Sequence, residues 1–183
     1  MRSAAAILDA AVDLLAERPD VSVEEIATAS GVSRQTVYAH YPSRRALLFA
    51  AAERMTTDVM AALDSAEPEA GPADAALLRT IDALWVRANV YGKALREAIA
   101  RLPVEDTAAL HDPLGARLTA LIERGQGDGT FSPDVDANWL LASTVALSHL
   151  AAQEALPSTG DRAPEPLRDS LLRLYGAHPG RLR

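Results

Sequence analysis

The stretch Val23–Leu48, VEEIATASGVSRQTVYAHYPSRRALL, leaves the chain few ways to fold. Ile26 and Ala27 share one face of a first short helix, and Gly31 interrupts it. Val32 follows, and Val37, Tyr38 and Tyr41 recur at helical spacing beyond. Two short helices joined by a tight glycine-containing turn make a helix-turn-helix. Gly31 suits the turn because it takes positive φ without a Cβ clash. Ala27 is small enough for the second helix to cross the first closely. That second helix, from Ser33 to about Ala39, turns Arg34, Gln35, Thr36 and His40 outward. Their donors and acceptors match those of base edges and phosphates.

Charge patterning sharpens this expectation. No Asp or Glu occurs from Ile26 to Ala52, although the whole chain carries 25 acidic and 18 basic residues. Arg34, Arg44 and Arg45 all fall inside that acid-free stretch. Pro42 helps end the second helix, and Ser43 is placed to N-cap the next one. Arg44 and Arg45 then occupy a first helical turn, where the macrodipole disfavours a cation by roughly 0.3–1 kcal/mol. A bound phosphate removes the conflict, because helix N-termini attract anions and guanidinium forks grip phosphate. The alternative is an exposed basic helix start with no partner.

The segments around this stretch read as helices throughout. Ser3 to Glu17 is amphipathic, with Ile7, Ala11, Val12, Leu14 and Leu15 on one stripe. Ser22 and Glu25 have the spacing of a capping box at the start of the next helix. A long helix is predicted from Ser43 to about Ser65, too long to belong to the head alone. It would link the head rigidly to what lies beyond. Glu67 to Pro72 is a break. Ala73 to about Leu102 is predicted as one helix, with Leu77, Leu78, Ile81, Leu84, Trp85, Ala88, Tyr91, Leu95, Ile99 and Leu102 at helical steps. A short helix over Asp106 to Leu110, a stop at His111-Asp112-Pro113 and a helix from Leu114 to Gly125 follow. Val135 to Leu156 is apolar almost all round, which predicts burial on more than one side. Pro157 to Pro166 reads as a loop, Leu167 to Gly176 as a last helix, and HPGRLR as a frayed tail. The fold expected is all-α, with two parts: a head over residues 1–46 and a helical body over 47–183.

Composition excludes several functions. The 183-residue chain has no cysteine, so disulfides and cysteine-held zinc are out, which fits a reducing cytoplasm. Its N-terminus, with Asp9 and Asp13 and no long apolar run, is not a signal peptide, and no stretch approaches a membrane span. A net charge of −7 argues against coating nucleic acid in general, but a specific reader needs only a local basic surface. The four histidines make no ligand pair at helical spacing, so no metal and no cofactor are expected. Nucleophile motifs and glycine-rich phosphate loops are absent, so an enzyme is not expected.

Taken together, residues 21–51 resemble the DNA-binding region of TetR family transcriptional regulators. The matching parts are the Ile26-Ala27 opening, Gly31-Val32-Ser33, Val37-Tyr38, the run Tyr38-x-His40-Tyr41-x-Ser43-Arg44, and Leu47-Leu48. Gly129-x-Phe131-x-Pro133-Asp134 is similar to an element of the same family just before its penultimate helix. Arg45 stands where the family often has an acid, which adds positive charge. The resemblance implies a three-helix head and a helical body that binds an effector and dimerises. It implies that Ser33 opens the recognition helix, that Arg34, Gln35 and Thr36 face bases, and that Tyr38, His40 and Tyr41 face the DNA backbone or the groove wall. Ser22 and Arg44 would hold phosphates, and the charge pattern adds Arg45 beside them. Tyr41 fits the core of the head equally well.

In the body, polar or aromatic residues interrupt apolar helix faces at Trp85, Asn89, Tyr91, Arg96, Trp139, Ser143 and His149, and Met60 is a further pocket candidate on an apolar face. The resemblance implies that such positions line a small-molecule pocket, whereas their spacing alone fits plain core packing for Trp85 and Trp139. The expected partners are double-stranded operator DNA, a partly apolar small-molecule effector, and a second copy of the chain through Val135–Leu156 and Leu167–Gly176. The expected function is a ligand-released homodimeric repressor. The alternatives are an activator or ligand-independent regulator, and a helical small-molecule binder without operator binding.

Overall fold

The structure is a computed structural model that describes residues 2–154 and 160–177, with the backbone alone at 2, 3, 92, 94, 95, 98 and 106–111. Among the described residues the chain forms nine helices and no strand. They are α1 (Arg2–Glu17), α2 (Val23–Ala29), α3 (Arg34–His40), α4 (Arg44–Ser65), α5 (Ala73–Val90), α6 (Gly92–Ile99), α7 (Val104–Gly127), α8 (Ala137–Gln153) and α9 (Glu165–Leu174). The predicted helix end at Leu156, part of the loop after it, the tail from His178, and the side chains of Leu95, Leu110 and His111 lie outside the described residues.

Two element predictions need correction. The run Ala73 to Leu102 is two helices, broken at Tyr91 between Val90 and Gly92. Apolar spacing continues through the break, so periodicity could not reveal it. Conversely, the stop expected at His111-Asp112-Pro113 is absent, and Pro113 sits inside the continuous α7. Proline removes one backbone donor and crowds the preceding turn, a local loss that this 24-residue helix absorbs without ending.

The chain divides into two compact units, which do not coincide with a division at residue 46. The first contains residues 1–58 and 88–111. Its core joins Ile7, Ala11 and Leu15 of α1, Ile26 and Ala27 of α2, Val37 of α3, Leu47, Ala51 and Ala52 of α4, and Tyr91, Ile99 and Leu102. Within it α1 packs on α2, α3 and α6. Each fully buried Ile or Leu contributes about 1.5–3 kcal/mol relative to exposure. Apolar burial therefore dominates over the exposed Arg54–Asp9 pair at 3.4 Å, since such pairs contribute about 0–1 kcal/mol.

The start of α2 is fixed by the expected capping box. Glu25 N–H donates to the Ser22 hydroxyl at 3.2 Å, and Ser22 N–H donates to Glu25 Oε2 at 2.8 Å. Arg18 pairs with the other carboxylate oxygen. The Ser22 backbone N–H, then Arg18, then the Ser22 hydroxyl hold the Glu25 carboxyl down to about 2.

The second unit contains residues 59–87 and 112–183. Its core is built from Leu77, Ile81 and Trp85 of α5, Leu121 and Ile122 of α7, Leu140 of α8, Leu167 and Leu171 of α9, and Phe131 and Tyr175. Phe131 meets the Tyr175 ring edge-on at 4.8 Å, and the Tyr175 hydroxyl pairs with that of Thr144 at 2.8 Å. The Phe131 ring lies directly over Gly125 of α7. A Cβ at that position would stand 2.1 Å from Phe131 Cδ2. The α4–α5 connection is clamped by arginines: Arg79 donates to the carbonyls of Ala66, Glu67 and Ala70, and Arg124 to those of Gly71 and Pro68. Arg168, 6% exposed, pairs with Asp82, which also accepts from Ala163 N–H at 2.9 Å.

Two expectations follow. Two glycines of α7 should respond to alanine with opposite signs. Gly125→Ala forces the Phe131 ring out and should cost about 1–3 kcal/mol. Gly115→Ala meets, among the described residues, only Leu141 at 3.9 Å and should gain about 0.5–1 kcal/mol of helix propensity. Denaturant melts of both variants check this, and equal signs would refute the packing described. For Glu25, a depressed folded pKa means its stabilising contribution is present above its ordinary 4.5 and is lost as pH falls toward about 2. An NMR titration should show the Glu25 midpoint near 2, moving back toward 4.5 in Ser22→Ala. A midpoint already near 4.5 in the unaltered protein would contradict the capping box.

Candidate nucleic-acid interface

The turn between α2 and α3 follows from the α2 C-terminus. Ser30 is the C-cap, Gly31 has φ +71°, Gly31 N–H donates to Thr28 O at 3.2 Å, and Val32 N–H donates to Ala27 O at 3.0 Å. This is a Schellman motif, whose left-handed residue is a glycine for steric reasons. Ser33 then caps α3, its hydroxyl accepting from Thr36 N–H at 3.1 Å. With both ends of the turn fixed, Val37 is the residue that α3 buries.

The opposite side of α3 is open. Arg34, Gln35, Tyr38 and His40 are exposed, and Thr36 is half-buried with its hydroxyl 2.9 Å from that of Ser33. The Arg34 guanidinium lies 5.5 Å from the centre of the Tyr38 ring. Its hydrogen bond to Tyr38 and the attraction between them raise the Arg34 pKa. His40 and Arg45 are exposed and already have partners within the chain. The face thus combines cationic and amide donors with aromatic surface on a rigid short helix.

Three of the expected contact residues are engaged inside the head. Arg44 donates to the backbone carbonyl of Val21 and, at 2.7 Å, to that of Pro19. The cation in the first turn of α4 is therefore explained by the α1–α2 connection, which needs no phosphate to account for it. Tyr41 is half-buried against the core, and its hydroxyl donates to Ala4 O at 3.2 Å. Burial raises its pKa. The Ser22 hydroxyl donates to Glu25 Oε2 at 2.7 Å within the capping box. Ser43 does cap α4, accepting from Ala46 N–H at 3.1 Å.

The residues expected to line a pocket are divided between the two units. Met60, Trp85 and Ser143 belong to the second unit, with Trp85 buried and the other two half-buried. Tyr91 and Asn89 belong to the first unit, where Tyr91 is core and Asn89 is exposed. Trp139 stands 64% exposed on α8, together with Val145 and Leu150. Helical spacing marks these as face positions, but it does not say what each face meets. Nothing in the sequence pattern signals that α5 buries Thr80 Oγ1, Trp85 Nε1 and Arg87 Nε without a hydrogen-bond partner among the described residues. Such groups each cost about 1–3 kcal/mol unless something pairs with them. Among the described residues no cluster of His, Asp or Glu is arranged to hold a metal, and no helix is long and apolar enough to cross a membrane.

Known proteins resemble the chain both in the sequence of its head and in its fold. Residues 7–51 match the model of the bacterial regulatory proteins of the tetR family. Over 81 residues the chain is 44% identical to the HTH-type transcriptional repressor LfrR of Mycolicibacterium smegmatis, covering 44% of this chain and 43% of that protein. Over 62 residues it is 39% identical to the HTH-type transcriptional regulator EthR of Mycobacterium tuberculosis, covering 33% of this chain and 29% of EthR. In these alignments the chain spans less than half the length of the curated relatives it matches. The likeness of fold is wider. The crystal structure of LfrR in complex with proflavine superposes with a TM-score of 0.67 at 28% identity, over 96% of each chain. The TetR family regulator PfmR from Thermus thermophilus gives 0.75 at 23% identity, over 93% of this chain and 97% of PfmR, a likeness of fold alone. Residues 7–51 thus match the head of the tetR family of bacterial regulatory proteins, and the all-helical chain superposes along nearly its whole length on the TetR-like regulator LfrR.

Proposed function

We propose that the chain is a sequence-specific, homodimeric DNA-binding transcriptional regulator, a repressor released from its operator by a small, partly apolar effector in the cytoplasm. The head over residues 1–46 reads DNA, and residues 47–183 dimerise and bind the effector. The observation that carries this reading is the open face of α3. Arg34, Gln35, Tyr38 and His40 are exposed there, while Val37 and the capped turn lock the helix from behind. The acid-free stretch from Ile26 to Ala52 keeps that face positive despite a net charge of −7. Arg34 and Gln35 contact base edges. Ser33, Thr36, Tyr38, His40 and Arg45 contact the backbone, with Ser22, Tyr41 and Arg44 holding the frame behind them.

Dimerisation is supported by α8. Trp139, Val145 and Leu150 are 64%, 43% and 50% exposed, while Leu140, Thr144 and Ala151 of the same helix are buried. A helix apolar on both sides and covered on one is suited to an isologous contact with its own copy. A dimer would span half-sites about one helical turn apart, ~34–36 Å. An effector is supported by LfrR, the relative solved with proflavine, and by the unpartnered polar atoms of α5, which a ligand's acceptors would satisfy. The ligand must bind the released and operator-bound states with different affinity, or it shifts nothing.

Selection of bound fragments from genomic DNA, followed by titration across salt concentrations, tests the DNA reading. Arg34→Ala should weaken binding to the selected fragment by about 1–3 kcal/mol and leave the thermal midpoint nearly unchanged. Arg44→Ala should instead lower stability by about 1–3 kcal/mol, because two backbone carbonyls lose a charged donor. Unchanged binding and salt slope in Arg34→Ala would overturn the assignment of α3. For the dimer, sedimentation should show Trp139→Glu as a folded monomer where the unaltered chain is a dimer. A variant that remains dimeric would rule out the α8 face.

A further inference from the structure

Tyr91, which the family resemblance places among the pocket candidates, sits in the core of the head-bearing unit. It is the single residue between α5 and α6, and it is 3% exposed. Its ring shares an apolar core with Ile7, Ala11 and Leu15 of α1, and its hydroxyl donates to the Asp58 carboxylate on α4. Asp58 Oδ2 also lies 3.6 Å from Arg54 Nε, and Arg54 Nη1 is 3.4 Å from Asp9 on α1. The break itself is closed by Arg96 of α6, which donates to the Ala88 carbonyl near the end of α5. Burial lowers the Arg96 pKa. Behind Tyr91, Ile99 and Leu102 continue the same core, and α6 packs along α1.

We propose that Tyr91 is a positioning residue for the DNA-reading head, setting α1 and α4 through its ring in the shared core and its hydrogen bond to Asp58. The proposal rests on the operator-binding reading above. Asp58 lies about 21 Å along α4 from Arg44, at about 1.5 Å per residue. At its N-terminal end α4 grips the Val21 and Pro19 carbonyls through Arg44 and buries Leu47, Ala51 and Ala52 beside Ile26 and Ala27. Holding α4 at Asp58 and α1 through the core therefore fixes both neighbours of the helix-turn-helix. The exposed Arg54 pairs add little, since solvent screens them. The partly buried Tyr91–Asp58 bond and the core contact carry the effect. A change at the α5–α6 break is transmitted to the head by moving this one side chain, with no need to unfold any helix.

The test uses the full chain and a genomic fragment selected by the unaltered protein. Tyr91→Phe keeps the ring and removes the donor. It should weaken binding to the fragment by about fivefold or more, a typical size for coupling between sites. The fraction of protein able to bind at saturation should remain that of the unaltered chain, and the thermal midpoint should fall by less than about 4 °C. Asp58→Asn, which keeps an acceptor oxygen, should bind within about twofold of the unaltered protein, a difference within the usual additivity error. Asp58→Ala should match Tyr91→Phe, and combining the two should add nothing. The proposal is overturned if Tyr91→Phe binds as the unaltered chain does, if its loss appears only as a reduced binding-competent fraction, or if the two losses simply add. If the unaltered protein selects no fragment, the operator reading fails. Hydrogen exchange then decides Tyr91 separately: Tyr91→Phe should speed exchange in α1 and the first half of α4, and unchanged exchange there would refute it.

Discussion

The helices that form the reading element are too short to exist alone. α2 and α3 have seven residues each, whereas isolated helices below about 12–15 residues are marginal in water. Their geometry is therefore imposed by what caps and buries them. For α2 this is the Ser22–Glu25 box at one end and the Gly31 Schellman turn at the other. For α3 it is the Ser33 cap, one buried residue, Val37, and the Tyr41 hydroxyl on Ala4 O. A helix held by one buried side chain takes its direction from the wall that side chain meets. That wall belongs to a core shared by Ile26, Ala27, α1, the first half of α4, Ile99 of α6 and Leu102 beyond it. The face that Arg34 and Gln35 present is thus decided by residues more than fifty positions away in sequence.

This dependence explains what was and was not legible in the sequence. The capping box, the glycine turn, the Ser43 cap and the buried Ile26, Ala27 and Val37 are local features. Their donors, acceptors and spacing lie within a few residues, so the sequence carries them complete. The α3 face was legible for the same reason. The partners of Arg44 were not. Electrostatics along its own helix calls for an anion nearby. The partners are two backbone carbonyls in a loop more than twenty residues earlier, which no helical pattern encodes. Tyr91 is a similar case: its spacing gives the buried side of a helix, but the neighbour across that side is a tertiary fact. The break at Tyr91 is hidden because apolar periodicity runs through it, and the continuity of α7 is hidden because proline usually stops a helix.

The apolar face of α8 shows the converse limit. An all-round apolar pattern predicts burial on more than one side, and within one chain α8 is covered on one side only. Sequence records the burial a chain has in its working assembly, while a single chain displays only its own contacts. Trp139, 64% exposed, is therefore not part of the core of the single chain. Placing a tryptophan so far into solvent is unfavourable unless something covers it.

Division of labour among the arginines follows from the same physics. A guanidinium that has given donors to buried carbonyls is costly to withdraw, because those carbonyls would be left unpaired. Arg44 is committed in this way, and its charge acts on a polyanion only through a fixed position at the edge of the head. Arg34 is exposed and rests on the Tyr38 ring, so leaving that ring for a guanine edge or a phosphate breaks nothing buried. The acids nearest in sequence on the N-terminal side are Glu24 and Glu25, and Glu25 is already neutralised by Arg18 and its cap. Charges farther away are screened over about 8–10 Å at physiological salt. An acidic chain can therefore present a locally cationic helix, with Arg44 fixed on backbone carbonyls and Arg34 left exposed.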